Sequence, residues 1–139
     1  MPKHFRRRQF KRLFRRTQGG KLRFEARELK PYAQPVSTDA LQEGEVYFSV
    51  NFIDDDMFIP MLEPLVFIGH DLGERDEGRV YFQDVDSHRQ GVRFQTADAS
   101  DHATFHESSK NDIGQIFEYE RALDLLMVCA LRRQTTPAS

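Results

Sequence analysis

Basic residues are concentrated at the start of this chain, which divides it into two parts of opposite charge. Residues 1–30 hold twelve of the twenty Lys and Arg residues and only two acidic ones, so they carry a net charge of +10. The remaining residues, 31–139, hold eight basic and twenty acidic residues, for a net charge of −12. Because such an asymmetry informs about partners more than about fold, we treat the basic segment and the acidic body separately.

The length and the turn signals divide the chain into four regions. A chain of 139 residues is long enough for one domain with a core of its own. We assign a basic arm at 1–30, a linker at 31–43 with two prolines, a single α+β domain at 44–133 and a frayed tail at 134–139. No run of about 18 apolar residues is present, so we expect no transmembrane segment. The single cysteine fits a reducing compartment, and we expect a cytoplasmic protein.

The basic arm contains a segment that favours a short helix. In residues 5–16, FRRRQFKRLFRR, the spacing i, i+3, i+4 places Phe10, Leu13 and Phe14 on one face, with cations over most of the rest. These three side chains are candidate partner-binding residues. The glycine pair Gly19-Gly20 interrupts the pattern, and Lys21 follows it.

The arm favours nucleic acid or a ribonucleoprotein as its partner. Its cations can neutralise phosphates, and aromatic rings among cations are typical of surfaces that stack on single-stranded bases. The candidate nucleic-acid-binding residues are Arg6, Arg7, Arg8, Lys11, Arg12, Arg15, Arg16, Lys21 and Arg23. An anionic membrane surface and an acidic protein remain alternatives, as does docking of the phenylalanines on the chain's own body.

Short strands with turns between them dominate the body. Residues 45–53 alternate, with Ile53 as the exception, and Val46, Phe48, Val50 and Phe52 share one face, which predicts a half-buried strand. Further strands are predicted at 57–59, 65–68, 79–85, 92–94 and 103–106, and the segment from Pro60 to Pro64 is predicted to form an edge or bend. This spacing indicates a small antiparallel β-sheet, or a barrel that resembles the SH3-like or OB-like barrels in outline.

A C-terminal amphipathic helix is predicted at 113–133. Asp112 and Gln115 have the spacing of a capping box. The apolar face expected to cover the sheet comprises Ile116, Tyr119, Ala122, Leu123, Leu126, Met127, Ala130 and Leu131. Phe117, Leu125 and Val128 fall outside this face, which indicates that a second surface of the helix is also covered.

Candidate sites for metal ions or catalysis are few. Asp54, Asp55 and Asp56 are predicted to form a polar hairpin tip, and we count them as candidate partner-binding residues rather than calcium ligands. Two other sets have spacings that metal sites use, namely Asp84/Asp86/His88 and His102/His106. A turn at 86–91 and an extended conformation around 103–105 argue against both.

The sequence contains no catalytic motif. Neither G-x-S-x-G nor a glycine-rich phosphate loop occurs, and Cys129 lies in an apolar stretch where a thiol usually serves as a small buried hydrophobe. We therefore expect a non-enzymatic accessory or binding protein that needs no metal or cofactor. The alternative is a protein–protein interaction subunit that uses its acidic β-domain surface, and a metal-dependent enzyme is the third hypothesis.

Overall fold

The computed structural model describes residues 21–23, 28–75 and 77–135, and every structural statement below concerns these residues. They form a five-stranded antiparallel sheet with two α-helices, an α+β architecture. The strands are β1 (Val46–Phe52), β2 (Pro60–His70), β3 (Arg79–Asp84), β4 (Phe105–Ser109) and β5 (Ile116–Phe117), and the helices are α1 (Val85–Arg89) and α2 (Tyr119–Thr135). The strand order is β4-β3-β2-β1-β5.

The sheet is open, with β4 and β5 at its edges. The predicted small antiparallel sheet is therefore present, whereas the barrel alternative is not supported. The predicted helical segment of the arm lies outside the described residues.

Strand β2 has one neighbour over its first half and two over its second. It pairs with β1 from Pro60 to Val66, whereas its pairing with β3 begins only at Leu65. The continuous apolar run from Leu65 to Phe67 is fully buried, as the sequence predicts for this part of the strand. The first half of β2 therefore has an open edge, with β1 and the short β5 on its other side.

The two prolines of β2 lie in the half that has an open edge. The Val50 amide donates to Gln115 O, on the β5 side of β1. Because amides alternate in direction along a strand, residues two apart from Val50 also point away from β2. Those residues pair with Pro60 and Pro64, whose nitrogens consequently face the edge that β3 does not reach. The predicted edge position of the segment from Pro60 to Pro64 is therefore correct, and the segment is a regular strand rather than a bend.

Both faces of the sheet are covered. On one face the main core contains side chains of β1, β2, β3 and β5, together with the segment before the sheet and the loop before β5. Its members are Val36, Leu41, Tyr47, Leu65, Phe67, Val80, Phe82, Ile113 and Ile116. Two of these, Val36 and Leu41, come from the predicted linker. On the other face Val50 and Phe117 pack against Ala122 of α2, with Leu125 alongside.

The C-terminal helix begins six residues later than predicted. Residues 113–118 do not continue it, because Ile116 and Phe117 form β5 and pair with Ser49 and Phe48 of β1. The predicted capping box is therefore wrong, and the Asp112 amide instead donates to Ser109 O in a turn.

The predicted packing face of the helix is only partly right: Ala122 of that face is buried against the sheet, but the contact extends to residues outside it. Leu125 packs against the Val50 cluster, and Cys129 is buried. In contrast, the predicted inward-facing residues Tyr119, Leu126 and Met127 are exposed.

Three other strand predictions need correction. Residues 57–59 belong to the turn between β1 and β2, and residues 92–94 lie in a loop after α1. Phe94 nevertheless packs, with ring centroids 5.1 Å from Tyr81 and 5.3 Å from Phe105. The strand predicted at 103–106 begins at Phe105 and continues to Ser109.

Replacing Phe82 tests the main core. This side chain is 1% exposed, and its ring centroid lies 5.6 Å from that of Phe67. We expect Phe82→Ala to lower the free energy of unfolding by about 3–5 kcal/mol, because it leaves a cavity. Urea unfolding measures this, with Ile53→Ala at a 70% exposed position as the control, expected to change stability by less than about 0.5 kcal/mol. Equal stability of the two variants would contradict this core assignment.

Candidate functional site

An apolar groove runs between α2 and the sheet. We call it the helix groove, and its apolar lining consists of Phe48, Leu62, Tyr119, Ala122, Leu123 and Leu126. Its volume is about 320 Å³, and Glu120 also contributes to its wall. The ring of Phe48 stands edge-on to that of Tyr119, with the centroids 4.8 Å apart. The groove therefore has one wall from β1 and β2 and one from the first two turns of α2.

The helix surface beside the groove is apolar and open to solvent. Tyr119 is 63% exposed, Leu126 37%, Met127 42% and Leu131 49%. Their spacing places them on the part of α2 that borders the groove and continues away from the sheet. A contiguous apolar surface on one helix is unusual for a monomeric protein and is typical of a binding surface. We call these four residues the helix stripe.

The hairpin between β1 and β2 ends in the acidic tip that the sequence predicts, but its three aspartates are not equivalent. Asp54 accepts hydrogen bonds from the amides of Phe58, at 3.0 and 3.1 Å, and Ile59, at 2.8 Å. Desolvation raises the pKa of this carboxyl, but the bonds from these amides outweigh it, and the pKa lies below its ordinary value. Asp54 therefore holds the turn, which leaves Asp55 and Asp56 as the exposed carboxylates of the tip.

The acidic surface of the body is not a single rim. The tip aspartates precede the start of β2, whereas Glu74 and Glu77 lie in the turn that follows its end. An eleven-residue strand separates the two groups, which corresponds to about 30 Å. One compact partner therefore cannot contact both acidic groups through a small interface.

Asp84 caps a helix. It precedes α1 and accepts hydrogen bonds from the Ser87 amide at 2.9 Å, the Thr104 amide at 2.8 Å and the Ser87 hydroxyl. Because α1 begins at the next residue, Asp84, Asp86 and His88 do not alternate along a strand, and the geometry that would have made them a metal face is lost. Partial burial acts to raise the pKa of Asp84, but the hydrogen bonds together outweigh it and lower that pKa.

His102 and His106, the second candidate metal-binding set, do not form a helical pair. His102 adopts a left-handed conformation after a short 3-10 turn, and His106 lies on β4. His106 Nε2 is 3.7 Å from Glu63 Oε1, a contact across the sheet that the sequence pattern did not indicate. In the part of the chain that the structure describes, no three His, Cys, Asp or Glu side chains converge on a position where a metal ion could bind.

Cys129 is a buried thiol on the inner side of α2. Its Sγ lies 3.8 Å from Met57 O, in the hairpin turn. Burial raises the pKa of the Cys129 thiol, Arg132 opposes this effect and Asp54 adds to it. Because the thiolate is the nucleophile, a raised pKa fits a packing role better than catalysis.

Most of the predicted nucleic-acid-binding residues lie outside the described residues. These are Arg6, Arg7, Arg8, Lys11, Arg12, Arg15 and Arg16, together with the partner-binding candidates Phe10, Leu13 and Phe14. Lys21 and Arg23 are described, and both are exposed. Closer to the body, Glu28, Lys30 and Ala33 line a small cavity with Arg121 and Asp124, so the chain enters its described part beside α2.

Comparison with known proteins gives no further guide, since no family model, no curated protein and no solved structure matches the chain. None of the described helices has the length and apolar character needed to span a membrane.

Replacing Asp84 tests its capping role. At neutral pH we expect Asp84→Ala to cost about 1–3 kcal/mol of stability, because it removes the acceptor of the Ser87 and Thr104 amides. The folded-state pKa is depressed, so the stabilisation is present above the ordinary value of 3.8 and is lost as pH falls through the lower folded value. Urea unfolding over a pH series should show wild type and variant converging only below 3.8. A difference that is independent of pH would argue against an ionised cap.

Proposed function

We propose that this protein is a non-enzymatic accessory protein of the cytoplasm whose basic arm binds nucleic acid or a ribonucleoprotein. The observation that carries the proposal is the net charge of +10 in residues 1–30, followed by a body of −12. The acidic body repels phosphates, so binding is confined to the arm. Phenylalanines between the cations supply rings on which unpaired bases stack, which favours single-stranded targets.

The body supports this proposal by its lack of an evident reaction centre. Within residues 28–75 and 77–135, the carboxylates with the most hydrogen bonds, Asp54 and Asp84, hold turns, and the one cysteine is packed against the hairpin. A scaffold of this kind presents the arm rather than performing chemistry of its own.

The salt dependence of binding tests the proposal. With a single-stranded RNA oligonucleotide, log affinity should fall linearly with log salt, by about 0.7 for each phosphate contacted. We expect Arg12→Gln/Arg15→Gln to reduce that slope by about 0.7 per cation removed. The matched control is Arg75→Gln/Arg89→Gln, which removes two exposed cations of the body and should leave the slope unchanged.

Deletion of residues 1–20 should abolish RNA binding while the thermal unfolding transition of the body is retained. Affinity that does not depend on salt, or that survives the deletion, would overturn the proposal.

A second candidate function is that of a protein–protein interaction subunit. It is favoured by the hairpin tip, where Asp55 and Asp56 adjoin the apolar side chains of Ile53, Ile59 and Met61, which are 70%, 52% and 52% exposed. An apolar centre beside charged residues is the usual composition of a protein interface. The partner expected here carries a basic rim around an apolar contact.

Charge reversal at the tip tests this second function. Asp55→Lys/Asp56→Lys leaves the turn-holding Asp54 in place, so the hairpin should keep its fold. We expect the variant to lose protein partners that affinity purification recovers after nuclease treatment, without loss of RNA binding. Glu74→Lys/Glu77→Lys makes the same charge change at the other end of β2 and is the control. If both variants behave alike, net charge rather than the tip is responsible.

A further inference from the structure

The helix groove has the size and composition to take two aromatic rings. An apolar cavity of roughly 150 Å³ holds one benzene molecule, and the groove measures about 320 Å³. Apart from the Glu120 position, its lining residues are apolar or aromatic. An occupant with two rings close together would therefore fill it.

The arm contains a pair of rings with matching spacing. In the helix predicted for residues 5–16, Phe10 and Phe14 are four residues apart, so they lie about 5–6 Å from each other on one face. Leu13 adjoins them on the same face. The basic side chains of Arg8, Lys11, Arg12 and Arg15 then point to the opposite side.

The arm is also tethered beside α2, on the side of the helix that is turned away from the groove. Glu28 lines a cavity with Arg121 and Asp124, so the chain reaches the described part beside the same helix that forms the groove. The fourteen-residue step from Phe14 to Glu28 spans up to about 46 Å when extended. Helix α2 has 17 residues and is about 25 Å long, so every position of the groove is within reach. Attachment through a connection of this length gives an effective concentration on the order of millimolar.

We propose that residues 10–14 of the arm dock in the helix groove of their own chain, with the rings of Phe10 and Phe14 inserted between α2 and the sheet. Leu13 contacts the helix stripe at Leu126. The body's net charge of −12 attracts the segment, and the docked helix directs its cations to solvent in a fixed row. This inference does not depend on which anion those cations bind.

The absence of tryptophan from the chain allows a direct test in the full-length protein. In Phe14→Trp the single indole should emit at shorter wavelength, and be quenched less by acrylamide, than in Phe5→Trp. Position 5 belongs to the same segment but lies on the other side of the predicted helix. We expect Leu126→Arg to abolish this difference, since it places a cation at the mouth of the groove.

The control for the added charge is Ile53→Arg, at an exposed position away from the groove, which should leave the Phe14→Trp emission unchanged. Circular dichroism melting confirms that each variant is folded, and Leu126 is sufficiently exposed for the substitution to be tolerated. Equal emission at positions 5 and 14, or a difference that Leu126→Arg does not affect, would overturn the proposal. A blue shift that appears only as protein concentration rises, with a doubled mass in sedimentation, would assign the groove to a second copy and overturn it as well.

Discussion

The direction of two proline nitrogens determines how the body is built. Pro60 and Pro64 lack the amide hydrogen that a second neighbouring strand would require, and both nitrogens face the edge of β2 opposite β1. The sheet therefore widens to β3 only from Leu65 onward. Beside this open edge the sheet consists of β2, β1 and the two-residue β5, and such a narrow sheet is stable only when something covers its apolar face.

Helix α2 provides that cover but does not pack against this part of the sheet over its whole width. Ala122 is small and lets the helix approach Val50 and Phe117 closely. On the side toward β2, Leu62 and Phe48 are only half-buried, and the space between them and the helix is the helix groove. The groove thus lies where the helix does not reach across to β2. The helix stripe is present because the apolar surface of α2 is wider than its contact with the sheet.

Alternation and apolar runs made three strands predictable, whereas the remaining elements depend on which segments pair with each other. Val46 to Phe52 form the predicted strand, although Tyr47 and Ser49 of its other face are buried too, and the runs at Leu65 and Val80 are apolar enough to indicate buried strands. Residues 113–118 fit a helical pattern as well, but the edge of β1 was available to pair with Ile116 and Phe117. A local pattern cannot report such a neighbour, which is why the helix start and its cap were wrong. For the same reason the sequence predicted the arm and the acidic tip but not the groove, whose walls come from segments about 60 residues apart.

The apolar surface of α2 relates the charge pattern of the chain to its fold. A helix whose apolar surface is wider than its contact with the sheet is normally covered over the whole of that surface. The sheet covers Ala122, Leu125 and Cys129, while Tyr119 and Leu126 remain exposed in the part of the chain described. A segment that covers these exposed residues must be apolar on one face. It must also tolerate a strongly acidic body, so cations on its other face are favourable. The helix predicted for residues 5–16 of the arm combines these two properties. Because the arm is attached beside α2, its docking loses less translational and rotational freedom than the binding of a separate protein would. The same docking would hold the cations at one surface, so part of the ordering entropy of the arm is already lost before an anionic partner binds.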